Sequence, residues 1–157
     1  MSEGQIPVNT GDLPISSDPL DDSQVYTAVF KRATLSPKLS KNDVLFCSAQ
    51  FEIVEGDYEG ATLMINYLPI PIAITPDDSK AARFQKSRLN EAFGRFCRAF
   101  KIVSKMPPVT ITDPESYSRW QEWISEFYEN TGKVTIQNQE FPVGSGRLRS
   151  SVNDFVF

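Results

Sequence analysis

Histidine is absent from this 157-residue chain. Without it the commonest general base, the usual metal ligand and the base of most nucleophile triads are missing. Cysteine occurs twice, as Cys47 and Cys97, which is neither a metal-ligand spacing nor a disulfide framework. Each sits among apolar neighbours (Leu45-Phe46-Cys47, Phe96-Cys97), so both read as reduced core thiols and the expected compartment is reducing, the cytoplasm. No apolar run approaches the about 20 residues that span a bilayer. The chain also opens without a basic stretch or an apolar h-region, so no secretory leader is expected. The phosphate-loop, dinucleotide and nucleophile-elbow glycine motifs are all missing. Adjacent carboxylates do occur, at Asp21-Asp22 and Asp77-Asp78, but they read as a solvated tail and a helix cap. No catalytic residue, metal or cofactor is expected, and the chain reads as a non-enzymatic binding protein.

What is present is ordinary for one globular domain, with 40% hydrophobic and 23% charged residues. The net charge of −4 conceals a segregation. Residues 1–25 hold Glu3, Asp12, Asp18, Asp21 and Asp22 and no cation, so the remainder carries +1. Within that remainder, residues 80–105 place eight Lys and Arg against Glu91 alone, a balance of +7. Local potential rather than net charge steers a ligand, so a polyanion stays admissible.

Residues 1–24 mix Pro, Gly, Ser and Asp without hydrophobic period and read as a flexible acidic arm. A domain is expected over residues 25–157. Its first strand is read at residues 25–35 (VYTAVFKRATL), rich in β-branched and aromatic side chains. A polar loop follows, and residues 44–54 alternate between an apolar face (Leu45, Cys47, Ala49, Phe51, Ile53) and a wet one. Gly56 and Gly60 reverse the chain into a third strand at 61–68, making 44–68 a hairpin. Asp77-Asp78-Ser79 caps a helix read over 80–104, with Leu89, Phe93, Phe96, Cys97 and Phe100 as its core stripe. Asp113-Pro114 starts a second helix, whose core stripe includes Trp120 and Trp123 and whose C-cap is read at Asn130-Thr131-Gly132. Strands at 133–141 and 148–157 close the chain. Three strands, two helices, then two strands is the order of a five-stranded OB-like barrel with a helical insertion between strands 3 and 4. The alternative is an α+β sheet with helices packed on one face.

Single strands of nucleic acid are held by aromatic platforms that stack bases and by cations that follow the phosphates. Simple alternation puts Tyr26, Phe30 and Arg32 on one face of the first strand and Lys31 on the other, and puts Phe46 on the wet face of the second. Tyr58 in the hairpin turn and Tyr67 near the end of the third strand complete the candidate stacking set. Lys31, Arg32, Lys38, Lys41, Arg147 and Arg149 are candidate backbone contacts on loops and strand ends, and Arg83, Lys86 and Arg88 are candidates on the basic helix.

The run Phe51-Glu52-Ile53-Val54-Glu55-Gly56-Asp57-Tyr58-Glu59-Gly60-Ala61-Thr62-Leu63, a strand leading through G-x-Y-x-G into another, resembles a family of phage-encoded single-stranded-DNA-binding proteins with an OB-like fold. Residues 89–102 resemble that family's following helix, and residues 147–156 (RLRSSVNDFV) its closing strand. The resemblance implies sequence-independent binding of single-stranded DNA in phage replication or recombination, in the host cytoplasm. The implied partners are a recombinase, helicase or polymerase. It does not account for the Trp-bearing helix or the acidic arm. The alternatives are a protein-binding adaptor, docking through the arm or the Trp helix, and a virion structural protein that self-associates; sequence leaves homo-oligomerisation open.

Overall fold

The computed structural model describes residues 20–36, 44–110, 112–140, 143–146 and 148–157. The elements are β1 (Val25–Leu35), β2 (Phe46–Ile53), β3 (Thr62–Pro69), α1 (Lys80–Ala99), α2 (Pro114–Ser125), β4 (Thr131–Glu140) and β5 (Leu148–Val156). All five strands join one antiparallel sheet in the order β3-β2-β1-β4-β5, with the two helices inserted between β3 and β4. The class is mixed α+β, and no ladder joins β3 to β5 among the described residues.

The inner face of the sheet buries what its strands alternate inward. On β1 these are Tyr26, Ala28 and Phe30; on β2 they are Cys47, Ala49, Phe51 and Ile53. α1 lays Phe93, Phe96 and Ala99 over them, and Phe100 follows at its C-cap. Phe30, Phe51, Phe96, Phe100 and Phe155 form one aromatic cluster with ring centroids 5.0–6.3 Å apart. Edge-on and tilted geometries of this kind add to the area term that dominates burial of such rings. α2 contributes Trp120 and Ile124, both fully buried, and Trp123, whose Nε1–H donates to Ser104 Oγ at 2.8 Å. Cys47 is buried and Cys97 half-buried, and burial pushes each thiol up to about 12.

A β-bulge between Phe30 and Arg32 breaks the alternation of β1. Before it Tyr26, Ala28 and Phe30 point inward; after it Ala33 and Leu35 do. An extra residue reverses the facing of everything beyond it. Arg32 is therefore on the outer face, opposite to Phe30, and not beside it as strict alternation predicts.

The ends of several elements also differ from expectation. α1 stops at Ala99, not near 104, because Lys101 adopts φ 60, with Ile102 N–H donating to Cys97 O at 2.8 Å. This is a Schellman-type terminus with a lysine where glycine is usual. Gly132, read as a cap for the second helix, instead lies inside β4, and a Cβ there would meet Ala99 O at 2.6 Å. Leu20, read as part of the arm, already packs against the core, and its backbone O accepts from Asn138 Nδ2 at 2.8 Å.

Candidate nucleic-acid interface

The outer face of β2 and β3 holds two of the aromatics singled out above. Phe46, half-buried, and Tyr67, 76% exposed, meet edge to face with centroids 6.0 Å apart. Phe46 points outward because its chain neighbours, Leu45 just before β2 and Cys47 within it, point in. Tyr67 reaches the same face because β2 and β3 slip register between Cys47 and Ala49, which turns both Asn66 and Tyr67 to solvent. Arg32 stands on the same side, paired in register with Gln50 and donating from Nη2 to Gln50 Oε1 at 3.1 Å. Ser36 N–H donates to Phe46 O at 2.8 Å, so the mouth of the β1–β2 loop adjoins this patch. Lys38 and Lys41 belong to that loop in sequence but lie outside the described residues, as does Arg147. Arg149 is exposed on β5, opposite Gln139.

Six other candidates have employment inside the fold. Phe30 is 0% exposed at the centre of the aromatic cluster, so neither ring face can reach a base. Tyr26 is buried, and its hydroxyl donates to Asp21 O at 2.6 Å; burial is also the main reason its phenol titrates above the ordinary value. Both point inward on β1 ahead of the bulge, which corrects their reading as stacking groups. Tyr58 is half-buried and packs edge-on against Tyr26 at 6.0 Å, away from the Phe46–Tyr67 pair. Lys31 bonds Glu129 Oε1 at 3.0 Å, with Glu52 at 3.8 Å. Lys86 is fully committed: its ammonium donates to Asp78 Oδ1, Asp78 Oδ2 and Ala73 O at 3.0, 2.9 and 3.2 Å. An ammonium has three donors, so none remains for a phosphate. Near it, Arg83 donates to Pro76 O at 3.0 Å, while Arg88 lies exposed over the ring of Phe84 at 5.7 Å.

Sequence reasoning passed over a second gathering of cations. Arg98, Lys101 and Lys133 line one groove, with a volume of about 380 Å³, together with Thr27, Thr131 and Phe157. Its signal in sequence was only the +7 balance of the helix; Lys133 comes from another element.

No group of three or more His, Cys, Asp and Glu that could hold a metal ion exists among the described residues, and no described helix is long and apolar enough to cross a membrane. No family model matches the chain, and no curated protein matches it.

Proposed function

We propose that this chain binds single-stranded DNA, without sequence preference, across the outer face of β1, β2 and β3. The observation that carries the reading is exposed Tyr67, packed edge-on against half-buried Phe46, on the same face as Arg32. Tyr67 supplies a stacking platform, Phe46 holds it edge-on, and Arg32 supplies a cation for the neighbouring phosphate. Lys38, Lys41, Arg147 and Arg149, the loop and strand-end cations of the sequence, are proposed as further phosphate contacts of the strand. The strand order adds support. Closing β3 onto β5 would convert β3-β2-β1-β4-β5 into a five-stranded Greek-key barrel of the OB type, whose strand 2–3 face and flanking loops bind oligonucleotides. The resemblance to phage single-stranded-DNA-binding proteins then implies a role in replication or recombination beside a recombinase, helicase or polymerase.

Fluorescence anisotropy of a labelled oligo-dT, at about 50 and 200 mM salt with a duplex control, tests this reading. Binding should favour the single strand and weaken with salt. Tyr67→Ala should lose roughly 1–3 kcal/mol, about five- to hundredfold. Absence of single-strand binding at low salt would overturn the proposal and favour a protein-docking role.

A further inference from the structure

The groove at the end of α1 is assembled by three long-range features. Gly132 lets the β4 backbone approach Ala99 O, where any Cβ would collide. Asn130 Nδ2 donates to Phe100 O at 2.9 Å, tying the chain just before β4 to the helix terminus. Thr27, Lys133 and Val156 then align in one register row across β1, β4 and β5. The result brings Lys133 to the same groove as Arg98 and Lys101. Arg98 is held over the ring of Phe157 at 5.5 Å, and Arg95, at 5.0 Å from that ring, is tied to Asp154.

Among the described residues, no carboxylate lies within salt-bridge distance of Arg98, Lys101 or Lys133, although Lys31, Lys86, Arg95 and Arg119 each have one. Two carboxylates on neighbouring elements are otherwise engaged: Glu55 accepts from the Thr27 hydroxyl at 2.7 Å, and Asp154 is held by Arg95. Three cations converging on one groove repel one another, and an anion relieves that repulsion. Lys101 adds a second argument. At φ 60 a side chain meets a steric cost that glycine avoids. A cation at a helix C-terminus gains from the dipole, but that gain is smaller than the steric cost. The dipole also gives no reason for Lys133 to join it.

We propose that the groove formed by Arg98, Lys101 and Lys133 binds a phosphate oxyanion, supplied by the backbone of the nucleic-acid strand. The anion site stands on its own geometry; the strand as its source rests on the function proposed above. None of its residues belongs to β2 or β3, so it is a second contact, beyond the Phe46–Tyr67 platform.

The test uses the full chain with two probes, inorganic pyrophosphate and oligo-dT, read by amide chemical shifts at Gly132 and Lys133 and by the slope of log affinity against log salt. Lys101→Gly removes the cation and the backbone strain together, so its melting temperature should equal or exceed the wild type. Lys133→Gln is the companion variant that leaves the helix terminus intact. Shifts at Gly132 and Lys133 with both probes, with a salt slope about one unit shallower in either variant, support the proposal in full. Pyrophosphate shifts that the variants abolish, with an unchanged oligo-dT slope, would uphold the anion site and overturn the strand as its source. Pyrophosphate binding at the groove in a protein that ignores oligo-dT would sink the single-strand reading while keeping the site. No shift with either probe would overturn the site itself, whatever the fate of oligo-dT binding elsewhere.

Discussion

At the start of α1, Lys86 spends all three ammonium donors on Asp78 and Ala73, and Arg83 reaches back to Pro76. At its end, Arg98 and Lys101 line one groove with Lys133, and among the described residues no carboxylate lies within salt-bridge distance of the three. Both ends belong to one run of +7 charge. The first end uses its cations as ties, closing the loop 73–78 onto the helix; the second leaves them to a ligand. A charge balance counts both alike, so it measures attraction at long range and says nothing about which cation still has donors to give.

The comparison breaks most severely at Gly132. Gly132→Ala drives a Cβ into the Ala99 carbonyl, a backbone atom that cannot rotate aside. The expected cost is about 2–3 kcal/mol, as for overpacking, and a melting temperature lower by on the order of 5–10 °C. An unchanged melting temperature would mean that β4 does not press on α1, and the groove would lose its basis. The opposite end should respond less. Asp78→Asn removes the charge that holds Lys86, and the loss should be smaller than for Gly132→Ala because the pair is only partly buried and an amide oxygen can still accept a hydrogen bond there. The hydrogen bond from Lys86 holds the Asp78 carboxyl below its ordinary value, so its contribution is present above the ordinary carboxylate range and is lost as pH falls through the depressed folded value. Thermal melts of wild type and Asp78→Asn should therefore differ at neutral pH and converge in strong acid.

Local chemistry was legible in the sequence wherever neighbours in sequence decide the outcome. The first strand has the expected bounds, because its β-branched and aromatic residues bury along a single run. Ser79 caps α1, accepting from Ala82 N–H at 3.1 Å, and Asp113 with Pro114 opens α2 as read. Illegible features are those fixed by contacts across the fold. The bulge at Lys31 leaves no mark in the pattern VYTAVFKRATL, yet it decides that Arg32 faces outward while Phe30 faces the core. Gly132 looks like a helix cap in sequence, and only the approach of α1 shows why a side chain is excluded there. For the site, Phe46 could be read on the wet face of its strand and Tyr67 only as lying near the end of the third, whereas their mutual contact depends on the β2–β3 register slip. The convergence of Lys133 with α1 needed the packed structure.

The smallest expected effect belongs to Arg88, and it sharpens the comparison most finely. Its guanidinium lies over Phe84 at 5.7 Å, and both residues are exposed on the first half of α1. An exposed contact of this kind contributes about 0.5–1 kcal/mol, and the charge itself is screened beyond a Debye length of about 8 Å at physiological salt. Arg88→Gln should therefore shift oligo-dT affinity by less than about twofold, well under the loss expected for Tyr67→Ala. Anisotropy titrations of the two variants side by side decide it. A loss for Arg88→Gln equal to that for Tyr67→Ala would place a phosphate against the first half of α1, and the division of the helix into a tied end and a ligand-facing end would fail. A near-silent Arg88→Gln, beside a shallower salt slope in Lys133→Gln, would show instead that position among partners, and not charge alone, selects the cations that meet the strand.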